Sequence, residues 1–452
     1  MMGHHLVHKA GYCCQQGTVL IVVLWITLTL VGVGLVFAES MQLEYRAAEN
    51  SVAGLNAGHV IEGVRRYLTY FLGSLETPGT IPDTEDYDAE QVAVGDSYYW
   101  LLGRGTEKDS LKKKEPVYAL WDEASKLNIN TATQEMLEAL PNMTAELAAA
   151  IIDWRDADSD ITAGGAESES YLRREPKYQC KNSNFETVEE LRLVYGMSEE
   201  ILYGEDTNFN GILDPNEDDG DESLPEDNKN GVLESGLLEY VTVYSKEPNT
   251  KSDGSERINI TRGGNELQQL LQENFGQERA AQIKTVQNPS SVLEYYVKSG
   301  LTADEFEQVA DVLTASSGSS VQGLINVNTA SETVLTCIPG IGQQYASAII
   351  SAREGRTEDS TSFAWLTEVL DETSATEAGP YLTWRTYQFS ADIIAVGPNG
   401  RGFRREVLVI DTSSGTPKVI FRRDRSRRGW PLTSELRKEL LLGILNGERD
   451  FS

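Results

Sequence analysis

Histidine and cysteine are scarce in this chain, with four of each among 452 residues. His4, His5 and His8, and likewise Cys13 and Cys14, crowd into the extreme N-terminus. What remains (His59, Cys180 and Cys337) is too dispersed to suggest a zinc site or a nucleophile–base pair. A disulfide between Cys180 and Cys337 is open, but their spacing does not call for one. Basic residues are in deficit too: 39 Lys and Arg against 70 Asp and Glu leave a formal charge of −31. That balance disfavours nucleic acid and anionic headgroups as partners of the body, because phosphate binding needs a cationic surface. Long apolar runs are also missing, with one exception.

The exception runs from Gly17 to Ala38 and carries no charge before Glu39. At ~1.5 Å per residue it is long enough to cross a hydrocarbon core. Lys9 ahead of it favours a cytoplasmic N-terminus. A cleaved secretory signal has a shorter apolar region followed by its cleavage site. A lipidated cysteine would follow such a run, whereas Cys13 and Cys14 precede it. Gln15-Gln16-Gly17 followed at once by the apolar run resembles a prepilin-type signal. There a peptidase would cut between Gly17 and Thr18 and leave the run on the mature protein. Most pilins carry Glu at the fifth mature position; here it is Val22.

Beyond Ala38, Met41, Leu43, Ala47, Val52, Leu55, Val60, Ile61, Val64 and Leu68 recur at helical intervals, and the first proline is Pro78. One helix is predicted over about 18–72, apolar over 18–38 and amphipathic after it. Ser97–Leu102 and Val117–Trp121 read as strands, with Lys112–Lys114 as a solvated hairpin between them. Tyr387–Val396, Phe403–Ile410 and Lys418–Phe421 read as strands near the other end. Isolated hairpins are marginal, so these distant pieces are expected to form one sheet interrupted by an insertion. The resulting α+β architecture divides into leader 1–17, helix 18–72, first sheet part 73–125, helical insertion 126–380, returning strands 381–430 and tail 431–452. Within the tail, Leu432–Leu445 suggests a short amphipathic helix. The arginines from Arg422 to Arg428 read as a solvated or partner-facing strip.

The insertion repeats itself. Leu127-Asn-Ile-Asn-Thr, Ile258-Asn-Ile-Thr and Ile325-Asn-Val-Asn-Thr each precede a helical pattern, and the third continues into Ile338-Pro-Gly-Ile-Gly342. Asn or Thr ahead of the first helix suits an N-cap, and Gly340 and Gly342 suit a tight turn. These are helix-hairpin-helix units, the middle one lacking the Pro-Gly turn. Such units often bind DNA through glycine amides. Against that stand Asp153, Asp156, Asp158 and Asp160 after the first unit, while only Arg353 and Arg356 follow the third.

Between Glu205 and Glu239 lie twelve acidic residues and a single base, Lys229. Asp206-Thr-Asn208-Phe-Asn210-Gly211-Ile212-Leu-Asp214-Pro-Asn-Glu217 satisfies the calcium-loop pattern D-x-N-x-N-G-x5-E. Asp206, Asn208 and Asn210 would offer side-chain oxygens, Ile212 its carbonyl, Asp214 a water-bridged contact and Glu217 a bidentate closure. Glu226, Asn228, Asn230, Val232 and Glu234 repeat the pattern, but the closing position is Leu237, where Glu239 or Asp227 would have to substitute. Calcium is the expected cofactor, in a structural role.

Taken in order, several motifs resemble the K subunit of type II secretion systems, a minor pseudopilin. They are the Gly17 junction with its Val-Leu-Trp stem and no Glu at Val22, Leu127-Asn-Ile-Asn, Asp153-Trp-Arg-Asp156-Ala-Asp158, Gly165-Ala-Glu167-Ser-Glu-Ser-Tyr171, Glu189-Glu-Leu-Arg-Leu-Val-Tyr-Gly196 and Ile325-Asn-Val-Asn-Thr. The resemblance implies a non-enzymatic, single-pass inner-membrane subunit with its body in the periplasm. It implies a place at the pseudopilus tip beside the type I and J minor pseudopilins, where the subunit helps to start assembly. It also implies calcium, making Asp153, Asp156, Asp158 and Glu167 a second possible ion site. No small-molecule substrate is expected. The competing reading is a membrane-anchored helix-hairpin-helix DNA receptor of the competence type.

Overall fold

The computed structural model describes residues 16–104, 115–251, 253–354, 356 and 362–442. Residues 1–15 of the leader, Lys112–Lys114 and the end of the tail lie outside the described residues. The first helix, α1 (Gln16–Gly73), runs unbroken for 58 residues, about 87 Å at 1.5 Å per residue. Its apolar window is bare of protein contacts. The buried face begins only at Ala53 and continues through Ala57, Val60, Ile61, Val64, Leu68 and Leu72. Val52 and Leu55, which fit the helical periodicity, stay exposed.

That face beds on an antiparallel sheet. Its strand order is Val92–Val94, Ser97–Leu102, Gln388–Val396, Arg404–Asp411, Lys418–Asp424, and Trp121–Asp122 also pairs with Gln388–Val396. The central strand Gln388–Val396 is buried along its whole length, which its run of apolar residues permits. Ala391, Ile393 and Ala395 meet α1 on one face. On the other, Ile394 and Val396 join Tyr98, Trp100, Leu432 and Leu440. The last two belong to the C-terminal segment, whose helix spans Ser434–Leu442. The strand predicted over Val117–Trp121 is reduced to Trp121–Asp122 and one bridge at Tyr118.

The chain leaves the sheet at Asp122 and re-enters at Gln388, and the two points are neighbours, since Asp122 pairs with Phe389. Between them stand three units built alike. Each opens with a two-residue strand, Leu127–Asn128, Ile258–Asn259 or Ile325–Asn326. Each closes with a parallel one, Val241–Thr242, Leu313–Thr314 or Leu382–Thr383. The last closing strand extends past the expected boundary at residue 380. The middle unit, weakest in sequence, is therefore a full member, although its helix Asn265–Gln282 is broken at Gly276 (φ +78°). One apolar core from Leu127 to Leu382 spans all three.

The helix caps fall elsewhere than on the repeated asparagines. Thr133 and Ser331 cap the first helices of units one and three, accepting from the Met136 and Val334 amides. Asn128 and Asn326 instead close their own turns on the amides of Asn130 and Asn328. Cys180 and Cys337 are buried and free; burial pushes their thiols up to about 11 and about 12.

Candidate metal centres

The loop from Asp206 to Glu217 folds around its own side chains. Gly211, with φ at +69°, makes the sharp turn the pattern needs. The Asp206 carboxylate accepts the Asn210 and Gly211 amides at 2.9 Å each. Asn210 Oδ1 accepts the Ile212 amide at 2.8 Å. Asn208 and Asn210 both donate through Nδ2 to Asp214 Oδ2, at 2.7 and 3.0 Å. Glu217 folds back to accept the Thr207 and Asp214 amides at 3.1 Å each. Asp206, Asn210, Ile212 and Glu217 are buried, and Asn208 Oδ1 is buried without a hydrogen-bond partner. Burial, then the Asp206 charge, pushes Glu217 up to about 8. Burial also raises Asp206 despite the nearby Arg104 guanidinium. Two acids held in one dry loop against their ionisation equilibria fit a hard cation with oxygen ligands.

The second loop copies this plan on the surface. Asn228 and Asn230 donate through Nδ2 to Glu234 Oε1 at 2.6 and 3.0 Å, as their counterparts do to Asp214. Asn230 Oδ1 accepts the Val232 amide at 2.7 Å. The first position differs: Asp218, and not Glu226, accepts the Gly231 amide at 2.9 Å. Leu237 is buried in the core. Neither suggested substitute stands in for it. Glu239 pairs with Arg104 at 3.0 Å, and Asp227 accepts the amides of Asp219, Gly220 and Lys229. Glu205, just before the first loop, reaches the Glu234 amide at 3.1 Å.

A third arrangement lies in unit one. Asp153 Oδ2, Asp156 Oδ1, Glu167 Oε1 and Asn182 Oδ1 are all buried and unpaired. Asp153 and Glu167 are themselves buried side chains. Burial and neighbouring aspartates raise Asp156 and Glu167. Gly165 lies against Asp153, and a Cβ there would collide with Oδ2. Asp158 is the expected member that turns elsewhere, its Oδ1 taking the Asp160 amide at 2.9 Å. Asn182, which no sequence pattern marks, takes its place. Among the described residues no three His, Cys, Asp or Glu side chains alone form a metal-holding group. All these arrangements rely on asparagine oxygens as well, a donor set that suits calcium better than a transition metal.

The helix-hairpin-helix turns are engaged within the protein. Arg353 donates to the Val327 and Ala330 carbonyls at 3.1 and 2.8 Å, and Arg155 makes the equivalent bonds to Ile129 and Ala132. Arg356 pairs with Glu368 and lies over Trp365. Gly340 abuts the Ser374 and Ala378 backbone. The arginines read as cations of the third unit are thus structural. Part of the basic strip is likewise committed: Arg422 pairs with Glu406 at 2.8 Å, Arg423 with Glu189, and Arg425 with Asp392 at 3.6 Å, while Arg427 and Arg428 are exposed.

A family profile described as "Type II secretion system (T2SS), protein K" matches residues 117–203, the stretch holding the Asp153–Asn182 cluster. Over that stretch the chain is similar to the protein K family. A second profile, "Helix-hairpin-helix motif", matches residues 320–362 of unit three. A curated relative, the type II secretion system protein K of Klebsiella pneumoniae, is 39% identical over 69 residues. That alignment covers 15% of this chain and 21% of the relative, so the match spans about a fifth of the relative's length. A solved structure titled as the GspK–GspI–GspJ complex of the enterotoxigenic Escherichia coli type 2 secretion system covers 84% of this chain and 99% of its own, at 11% identity and a TM-score of 0.43. In its first part α1 is long and apolar enough to cross a membrane, by length and composition.

Proposed function

We propose that this protein is the minor pseudopilin at the tip of a periplasmic type II secretion pseudopilus, where it starts assembly and supports protein export. It acts as a structural component and not as a catalyst. The observation that carries the reading is the construction around α1. A bare apolar stem continues without a break into a helix bedded on an antiparallel sheet, and that sheet carries a bulky insertion. Val22 supports the end position. In pilins the glutamate of that site is thought to neutralise the terminal amine of a neighbour already in the fibre, and a subunit with nothing above it does without the group. Type I and J minor pseudopilins are the partners proposed from the similarity to protein K.

Calcium is proposed as a structural ion in the 206–217 loop, with Asp206, Asn208, Asn210, Ile212, Asp214 and Glu217 as its holders. The cluster of Asp153, Asp156, Glu167 and Asn182 is proposed as a further site, and Asn228, Asn230 and Glu234 with Asp218 and Glu205 as a weaker surface site. The ion would neutralise packed carboxylates and fix the loop backbone.

The test uses the full chain expressed with a prepilin peptidase and type I and J subunits. Intact mass and N-terminal sequencing are expected to give Thr18 as the first residue, and the subunits are expected to co-purify. An uncut chain that purifies alone would remove the reading. The DNA-receptor alternative requires duplex binding that weakens steeply with salt.

A further inference from the structure

The 206–217 loop has an outer side as well as an inner one. Outward, the Asn208 and Phe209 carbonyls meet arginines of the sheet. Arg405 donates to both, through Nη1 to Asn208 and through Nη2 to Phe209 at 2.6 Å. Arg104 adds a bond from Nη2 to Phe209 at 2.7 Å. Arg405 is fully buried on the strand Arg404–Asp411 and is fixed to Asp392 by bonds of 2.8 and 2.6 Å. The Phe209 ring lies beneath Arg425 and Arg428, at 4.9 and 5.0 Å. Its backbone is left-handed, with φ at +55°, a conformation that bulky residues rarely hold without support from both sides. Among the described residues, Arg104, Arg405 and Arg425 are ion-paired with Asp392 and Glu239. The remaining positive charge looks onto the loop's carbonyl oxygens and Asp206.

We propose that metal occupancy of the 206–217 loop clasps the helical insertion to the sheet, with Arg405 and Arg104 as the receiving half. This rests on calcium binding at that loop. The same short peptide serves both sides: its side chains face the ion and its carbonyls face the arginines. An ion neutralises Asp206, Asp214 and Glu217 and fixes the backbone, so the Asn208 and Phe209 carbonyls stand in register with the guanidiniums. Without it, repulsion among those carboxylates loosens the loop and takes acceptors from buried cations. The coupling is reciprocal, so weakening the arginine side must weaken calcium binding by the same factor.

Hydrogen exchange on the full chain in detergent, in calcium chloride or in chelator, tests this, with the helix Asn265–Gln282 reporting global stability. Calcium is expected to slow exchange about tenfold in the loop, and at residues 102–104 and 425–429 by more than it does in that helix. Arg405→Leu risks misfolding, so Arg104→Gln and Arg428→Ala are used. Both are expected to keep loop protection at saturating calcium, to lose the extra protection at 102–104 and 425–429, and to raise the calcium Kd about three- to tenfold. Protection confined to the loop, or variants with unchanged Kd, would overturn the clasp and leave calcium binding intact. An unresponsive loop would overturn both.

Discussion

At the scale of single residues, Asp206 and Glu217 show how a carboxylate is kept where water is not. Both are buried and both are raised, so a cation in their loop should stabilise the folded chain. An ion at a hundred times its Kd contributes about 2.7 kcal/mol. Chelation is therefore expected to lower Tm by several degrees, and Asp206→Ala to remove half or more of that shift in a calorimeter. A wild-type Tm indifferent to chelator would exclude the ion. Asp122 supports a separate prediction. It is buried, accepts from Ala124, Asn326, Thr329 and Thr386, and is raised to about 6 by burial. Its folded value lies above its unfolded one, so its favourable contribution is complete below about pH 4 and is lost as pH rises through about 6. At ~1.4 kcal/mol for each pH unit the span is at most about 3 kcal/mol. Asp122→Asn is expected to flatten that part of the pH–stability curve relative to wild type. The Asp206 loop was legible in the sequence because its ligand pattern is contiguous. Asn182 and Arg405 were not, because each acquires its role from residues brought close only by the fold.

At the scale of elements, each unit of the insertion is closed by a parallel pair of two-residue strands. The opening half was readable as the repeated asparagine motif. The closing half, a hydrophobic residue followed by Thr, is too short to carry a period. Arg155 and Arg353 hold the opening turns through carbonyls. Arg353→Met keeps much of the apolar stem but removes the donor, and is expected to destabilise the chain by about 2 kcal/mol in denaturant titration. The amphipathic half of α1 is predicted by its spacing, yet its buried face starts only at Ala53. There Gly397 and Gly402 press against the helix backbone, and a Cβ on Gly402 (φ +67°) would strike Ala53 and Gly54. Gly402→Ala is expected to lower stability by about 1–3 kcal/mol. A mutant as stable as wild type would show that this approach is dispensable.

At the scale of the whole molecule, the charge of −31 is a standing repulsion that screening or bound cations must relieve. With chelator present, raising salt is expected to raise Tm; with calcium saturating, the same salt step should raise it less. Equal increments in the two conditions would separate the net charge from the metal loops. The split sheet was legible because its strands at the two ends of the chain were each too few to stand alone. Arg422, Arg423 and Arg425 are paired where the sequence suggests a solvated or partner-facing strip, because sequence shows charge without showing the acid it faces, while Arg427 and Arg428 are exposed as that reading expects.

The adjacency of Asp122 and Phe389 has a mechanical meaning. A body joined to its host at two neighbouring points lies off the line of tension. The apolar face of α1 packs on the sheet and not on the core of the three units, so a load along α1 would enter the sheet first. The units ride as a side load, and a push delivered to them by a partner reaches the sheet through that junction, the arginines around Phe209, and the contacts of Glu189 with Arg423 and of Tyr244 with Phe421.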